Sequence, residues 1–168
     1  METKQFGQGM MAAGSVVALT LLTLYFSSVE QKQFNPNQNP NSLSDNEGAS
    51  VELIRNKFGH YVVTGEINNQ EVEFLLDTGA TDVVIPENTA KELGLNRGQA
   101  SRAYTANGTV TVYNTNIAKL TIGNISLYDV RASINPGMDR SSILLGMSAL
   151  KQVEFLQQGN SLTLRQIY

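Results

Sequence analysis

The most constraining feature of this sequence is an acidic residue at the end of an apolar run. Asp77 follows Phe74-Leu75-Leu76 and begins the tetrapeptide Asp77-Thr78-Gly79-Ala80, and Val83-Val84-Ile85 comes soon afterwards. Asp, Thr and Gly are common in turns, so a surface turn is the simplest interpretation. The apolar triplets on both sides instead predict a buried strand that delivers a carboxylate into a turn closed by glycine. The tetrapeptide occurs once, so each chain supplies one such carboxylate.

The composition excludes several kinds of site. A length of 168 residues fits one folded domain and an appendage, and the net charge of −3 without a Lys/Arg cluster gives no reason to expect a nucleic-acid partner. The absence of cysteine excludes a thiol nucleophile and a thiolate metal site. A single histidine, His60, is too few for an ordinary zinc site, and no nucleophilic serine motif accompanies it. We therefore expect neither a metal nor a cofactor.

An uncharged, mostly apolar stretch occupies residues 7–26, after a short tail at 1–6. Twenty helical residues cover about 30 Å, the thickness of a bilayer core, and predict a transmembrane helix. A cleaved signal peptide and a buried core helix are the alternatives, although the stretch lacks an Ala-x-Ala cleavage pattern. Lys4 on one side, with Glu30 and Lys32 on the other, favours a cytoplasmic amino terminus and an exported carboxy-terminal domain.

The rest of the chain divides by composition into two parts. Residues 27–50 are rich in Asn, Gln, Ser and Pro, and this predicts a flexible linker because such a segment buries too little apolar surface to offset its ordering entropy. From Val51 onward apolar residues recur with a period of two, which predicts a mostly β domain over residues 51–168.

Turn and breaker residues place the elements of this domain. Strands at 61–67 and 70–76 flank Asn68-Asn69, which suits a two-residue hairpin turn. Pro86 opens a short helix at 87–93 that Gly94 ends. Further strands are predicted at 109–114, 116–122, 125–134, 143–146, 153–156 and 161–167, with a helical turn at 147–151.

Hydrolysis of a peptide bond by Asp77 would require a second carboxyl group. One carboxylate takes a proton from water while a carboxylic acid donates to the carbonyl oxygen, and two such groups about 3 Å apart share one proton. With one Asp77 per chain, the second group must come from a two-fold partner. Thr78 could brace the two turns, while Gly79 and the small Ala80 would let backbone approach.

The sequence resembles the retropepsin-like aspartic proteases, specifically their membrane-anchored bacterial branch. Residues 74–81 are similar to the active-site strand and turn of that family, and residues 142–150 to its second signature. In the second signature, Leu144, Leu145 and Gly146 correspond to the strand that supports the active-site turn. Between these motifs lie Tyr104, Thr105, Ala106, Asn107 and Gly108, which resemble the family's substrate-binding flap; an ordinary hairpin is the alternative.

Three positions depart from the viral relatives. Met147 stands where they usually have an Arg that helps to hold the dimer, and Thr81 stands where they tend to have Asp. Asp82 is either a substrate contact or a turn residue.

The resemblance covers residues 50–168 and implies a mostly β fold. The expected domain is a retropepsin-like closed β-barrel with one or two short helices, preceded by a single transmembrane helix. The implied function is a membrane-anchored aspartic endopeptidase of the bacterial inner membrane, with its domain exported, active as a homodimer on extended peptides. The alternatives are a non-catalytic dimerisation or peptide-binding module, and a precursor that cleaves itself within residues 27–50.

Overall fold

The computed structural model describes residues 2–45, 48–105, 108–138 and 142–167. The chain divides into two compact units, one ending at Phe34 and the other running from Asn35 to Tyr168. The first unit is a helix and the second contains the strands.

Helix α1 runs from Glu2 to Phe34, beyond both ends of the predicted span 7–26. Residues 27–33 include Glu, Gln and Lys, which are good helix formers, so the helix continues past the apolar stretch. It ends before Asn35-Pro36, because proline disfavours the helical conformation of the residue before it. Among the described residues, α1 is the one helix long and apolar enough to cross a membrane, and a signal sequence would pass the same test.

The structure differs from the flexible linker predicted at 27–50. Residues after the helix belong to the β unit, which begins at Asn35 rather than at Val51. Asn35 and Asn37 are buried, at 2% and 3% exposure, and residues 41–45 form a strand. The composition suggested disorder because it is polar, but the buried amides make hydrogen bonds that offset their desolvation.

The β unit confirms the predicted mostly β class with short helices. The helices are α2 (Glu87–Glu92) and α3 (Met147–Leu150). The strands of the described chain are β1 (Asn41–Asp45), β2 (Gly48–Ile54), β3 (Val62–Ile67), β4 (Gln70–Leu76), β5 (Val83–Pro86), β6 (Ala100–Thr105), β7 (Gly108–Ile122), β8 (Ile125–Asn135), β9 (Ile143–Leu145), β10 (Glu154–Gln158) and β11 (Ser161–Ile167).

Six strands close on themselves as a barrel. They follow the order β3-β4-β9-β5-β8-β7, and β7 pairs in turn with β3. Strand β6 pairs with the first part of β7 and extends this sheet. A second sheet has the order β1-β2-β11-β10, so β1 and β10 are its edges.

Local sequence signals located most turns correctly. Asn68 and Asn69 have φ angles of 50° and 66°, as the predicted hairpin requires, and Gly94 ends α2 with φ of 67°. The prediction of two strands at 109–114 and 116–122 is wrong, because β7 is continuous. Asn114 and Asn116 suggested a break, yet their side chains bond Ser101 and Asp129 while the backbone stays paired with β8.

The core fills the barrel and continues beneath the second sheet. Alternate residues of β2 point inward, as the period of two predicted, and Ala49, Val51 and Leu53 have no exposed surface. Phe74 of β4 is also fully buried and is among the largest side chains of the core. This packing fixes the strand that leads to Asp77.

Candidate active site

Asp77 lies directly after β4, where the strand enters a tight turn. The backbone N–H of Gly79 donates a hydrogen bond to Oδ1 of Asp77 over 2.9 Å, and the N–H of Ala80 donates to the Asp77 carbonyl oxygen over 3.2 Å. A Cβ at position 79 would lie 3.2 Å from the same Oδ1, so glycine keeps the approach to the carboxylate open. The turn thus orients the Asp77 carboxylate with a backbone donor.

Strand β9 runs parallel to β4 and ends beside Asp77. Leu75 and Leu76 pair with Leu144 and Leu145, and the N–H of Asp77 then donates to the carbonyl oxygen of Leu145 over 3.2 Å. Leu145 is buried and Leu144 is half-buried. The structure therefore brings the two sequence motifs into direct contact, although they are almost seventy residues apart in the sequence.

Gly146 lies beneath the turn that follows Asp77. A Cβ at position 146 would overlap the carbonyl oxygen of Asp82 and lie 2.7 Å from that of Ala80. The next two N–H groups, of Met147 and Ser148, donate to the carbonyl oxygens of Ala80 and Thr81 over 2.8 and 2.9 Å. The start of α3 therefore holds the active-site loop from below, and glycine is required for this close approach.

Ser148 connects three elements, and no local sequence pattern singles it out. Its side chain is 4% exposed; Oγ accepts from the N–H of Val83 over 3.0 Å and donates to the carbonyl oxygen of Arg131 over 2.7 Å. It thus joins the active-site loop, α3 and β8. Its place within the second signature was the one available signal, because both of its partners are distant in the sequence.

Asp82 forms an ion pair with Arg131. The Nε of Arg131 donates to Oδ1 of Asp82 over 2.7 Å, while the two side chains keep 63% and 24% of their exposure. An exposed pair of this kind adds little stability. The pairing nevertheless gives Asp82 a partner within its own chain, one that no local sequence pattern indicates because Arg131 lies on another strand.

The active-site turn is open in the single chain. Thr78 and Gly79 are exposed, and Asp77 and Ala80 are half-buried. A pair of Asp77 carboxyl groups cannot form within one chain, because the tetrapeptide occurs once. The exposed turn leaves room for a second copy to meet it.

The residues compared with a flap lie at the end of the β6–β7 hairpin. Thr105 pairs with Gly108, and the Thr105 hydroxyl donates to the Gly108 carbonyl oxygen over 2.8 Å. Tyr104 is 86% exposed, so its ring is open to solvent. Ala106 and Asn107, the predicted tip, lie outside the described residues.

The base of this hairpin is held by a charged cluster formed by two residues of α2 and by Arg97, which follows the helix. The Arg97 guanidinium lies 4.3 Å from the centre of the Tyr113 ring and pairs with Glu87, which also binds Lys91 Nζ at 3.0 Å. The hydrogen bond from Lys91, together with the charges of Arg97 and Lys91, holds the pKa of the Glu87 carboxyl below its usual value. The cluster anchors β7 at Tyr113, where the hairpin leaves the barrel.

The residues described by the structure contain no group of three or more His, Cys, Asp and Glu placed to hold a metal ion. The Asp77 turn itself presents a carboxylate, the Thr78 hydroxyl and backbone groups.

The fold resembles that of a solved protease. A retropepsin-like aspartic protease from Rickettsia conorii superposes with a TM-score of 0.62 at 22% sequence identity, over 77% of this chain and 96% of that one. This similarity confirms the predicted retropepsin-like fold.

Two sequence relatives and a family model extend the comparison. An uncharacterized protein in the cobV 5′ region of a Sinorhizobium species is 25% identical in an alignment 167 residues long that covers 91% of this chain and 71% of that protein. An uncharacterized protein of Rickettsia prowazekii (strain Madrid E) is 31% identical in an alignment 110 residues long that covers 63% of this chain and 46% of the relative. The model described as "gag-polyprotein putative aspartyl protease" matches residues 63–152, more than half of the chain and a span that includes Asp77 and Gly146. The chain therefore belongs to the retropepsin-like aspartic protease family.

Proposed function

We propose that this protein is a membrane-anchored aspartic endopeptidase that acts as a homodimer. The observation that carries the proposal is the position of Asp77 in a family member: a strand anchored by the buried Phe74 delivers its carboxylate into an open turn, where the Gly79 N–H orients it. One chain offers half of the required pair of carboxyl groups. A two-fold dimer would bring the two Asp77 residues together on its axis.

The paired residues would share one proton and activate water between them. The ionised Asp77 takes a proton from water as the oxygen attacks the peptide carbonyl carbon, and the protonated Asp77 of the partner donates to the carbonyl oxygen. As the resulting diol collapses, one of its hydroxyls returns its proton to the partner's Asp77, the C–N bond breaks, and the proton held by the first carboxyl group goes to the amine. Thr78 would brace the two turns across the axis, since its side chain is exposed in the single chain.

Strand β10 supports the homodimer because it is an exposed edge. It pairs with β11 on one side, and all five of its residues are exposed, including Phe155 at 48% and Leu156 at 60%. An exposed apolar edge strand is a template for pairing with another chain. In an antiparallel pair centred on Leu156, Glu154 would face the partner's Gln158, so like charges would not oppose each other.

The β6–β7 hairpin supports binding of an extended peptide. Tyr104, Thr105 and Gly108 would close over the peptide together with Ala106 and Asn107 at the tip, and the exposed Tyr104 ring would pack against a side chain of the substrate. Backbone hydrogen bonds would supply affinity, while pockets for alternate side chains would supply selectivity.

Helix α1 supports a membrane anchor. Its exposed apolar residues cover all sides of the helix, and the hydroxyls of Ser15, Thr20 and Thr23 donate to carbonyl oxygens four residues earlier. Such bonds within the helix satisfy hydroxyl groups to which lipid offers no hydrogen-bond partner. The anchor would confine the domain to a surface and favour dimers. A reporter fused after Tyr168 tests the exported topology, and a cytoplasmic signal would contradict it.

The central experiment measures peptide cleavage by the full chain in detergent micelles, from about pH 4 to pH 8. Asp77→Asn should abolish turnover because its amide can neither hold nor release the shared proton. Asp129→Asn is the matched control, since Asp129 is exposed on β8 and its Asn116 partner can bond an amide oxygen equally well. Cleavage that survives Asp77→Asn would refute the catalytic assignment.

Mixing the two chains tests whether the site is shared. With equal amounts of wild type and Asp77→Asn and random pairing, about a quarter of the dimers keep both carboxyl groups, so activity should fall to about that fraction. A fall to only one half would mean that each chain acts independently. Confirmed dimers without any cleavage would favour a non-catalytic binding module instead.

A further inference from the structure

A row of polar side chains crosses three barrel strands close to Asp77. Thr64 of β3 lies opposite Glu73 of β4, and the parallel register of β4 with β9 places Ser142 beside Glu73. The Ser142 hydroxyl donates to Oε1 of Glu73 over 2.7 Å. This bond ties β4 to β9 one residue before their paired segment begins.

Asn35 completes the row from the segment that follows α1. Its Nδ2 donates to Oγ1 of Thr64 over 3.0 Å and to Oε2 of Glu73 over 3.2 Å, and its side chain is 2% exposed. Its Oδ1 accepts from the N–H of Asn37 over 3.0 Å. Both oxygens of the half-buried Glu73 carboxylate therefore have partners, which lie 38 and 69 residues away in the sequence.

The strand pair that this network stabilises is short and carries the candidate catalytic residue. The paired segment spans Phe74 to Leu76 on β4 and Ile143 to Leu145 on β9. At one end Glu73 binds Ser142, and at the other the Asp77 N–H binds the Leu145 carbonyl oxygen. Because this paired segment is short, the Ser142–Glu73 bond is one of the few hydrogen bonds that fix β9 against β4, and Asn35 holds the Glu73 side chain from the other side.

We propose that Glu73, held by Ser142 and Asn35, is a positioning residue for Asp77. The residues directly after α1 are then a working part of the active site rather than a passive tether. This inference rests on the proposed function and deepens it. It also predicts that a cut between Asn35 and β1 would lower activity even though Asp77 itself remained.

The test compares two glutamates of β4 in the full chain in detergent. Glu73→Gln replaces a double acceptor with one acceptor and one donor, so the side chain can keep Asn35 and Ser142 together only if the serine hydroxyl reverses to accept, and both bonds then lack a charged acceptor. Glu71→Gln makes the same change two residues earlier, where the side chain is exposed. The measurements are kcat and KM, together with hydrogen–deuterium exchange of segments 74–80 and 143–147 and of β2 and β11.

We expect Glu73→Gln to lower kcat about tenfold with KM unchanged within about twofold, because misplacement of a catalytic group slows the chemical step. Exchange should rise in the two segments around Asp77 and stay unchanged in β2 and β11. Ser142→Ala, a smaller change, should act in the same direction and add little to Glu73→Gln, since both remove one connection.

Three results would overturn the inference. The first is an equal effect of Glu73→Gln and Glu71→Gln on kcat. The second is increased exchange spread evenly over the domain with kcat unchanged. The third is an additive effect of Glu73→Gln and Ser142→Ala on kcat. If the wild type cleaves no peptide while Glu73→Gln still raises exchange only around Asp77, the network stands and the proposed function fails.

Discussion

The backbone N–H of Asp77 donates a hydrogen bond to the carbonyl oxygen of Leu145, 3.2 Å away. This bond joins the end of β4 to the end of β9 and so connects the two motifs of the family. Directly after it, the chain turns at Gly79 on one side and at Gly146 on the other. The position of the Asp77 carboxylate therefore depends on how these two segments pack. Substitutions in either segment should have measurable effects.

Gly146→Ala should destabilise the domain by about 2–3 kcal/mol, because the added Cβ overlaps backbone oxygens of the active-site loop that cannot move alone. Urea unfolding measures the change. Gly137→Ala is the control, since its Cβ would be in ordinary contact, 3.6 Å from Asn135 Oδ1. Equal unfolding midpoints for the two variants would contradict the close packing beneath the loop.

Asn37→Ala should cost about 3 kcal/mol of unfolding free energy. The Asn37 amide donates to the carbonyl oxygens of Ile54 and Val62 and accepts from the Ile54 N–H, and alanine would leave all three backbone groups unpaired. Thermal unfolding of Asn37→Ala and of the exposed control Asn39→Ala compares two asparagines of one polar tract. If both variants melt like the wild type, residues 35–40 contribute nothing to the fold.

Leu156→Lys should weaken the proposed dimer by at least about tenfold, because a charge enters an apolar edge pairing. Analytical ultracentrifugation of the full chain in detergent gives the dissociation constant. Leu43→Lys is matched to it, since Leu43 is a 66% exposed leucine on the opposite edge strand β1. A weaker dimer with Leu43→Lys but not with Leu156→Lys would move the interface to β1.

Tyr104→Ala should raise KM about tenfold and change kcat little, because the ring would contact substrate without touching the reacting atoms. Steady-state kinetics on a cleaved peptide separates the two constants. Tyr128→Ala serves as the control, as Tyr128 is 63% exposed on β8. An unchanged KM for Tyr104→Ala would remove Tyr104 from the substrate-binding surface.

Glu87→Gln should make the stability of the fold depend less on pH. Lys91 and Arg97 lower the pKa of Glu87 in the folded chain. The ionised carboxylate therefore stabilises the fold at pH values above 4.5, the pKa of this group in the unfolded chain. That contribution is lost as the pH falls through the folded pKa. Melting temperatures of the wild type and Glu87→Gln should therefore differ near neutral pH and converge as the pH falls below 4.5 and through the folded pKa. Equal melting temperatures of the two chains at neutral pH would contradict this contribution.

Much of the local structure could be predicted from the sequence. The asparagine pair at 68–69 and the glycine at 94 act through their own dihedral angles. The apolar triplets around Asp77 act through neighbouring residues. The period of two is similarly a local property, because it reflects which face of a strand is buried. The mostly β class and the tight turn at Asp77 follow from these signals, and the family motifs added the likeness to retropepsins.

The long-range partners of polar residues are the part that only the tertiary structure decided. Asn35 meets Glu73, Glu73 meets Ser142, and Arg131 meets Asp82 across dozens of residues. Composition averages over a segment and so marked residues 27–50 as disordered, whereas a few buried amides with complete hydrogen bonding are enough to fold part of it into the domain. The sequence alone determined where the carboxylate lies along the chain. Long-range hydrogen bonding and close backbone packing decided what holds it in place, because these energies depend on contacts that no local pattern records.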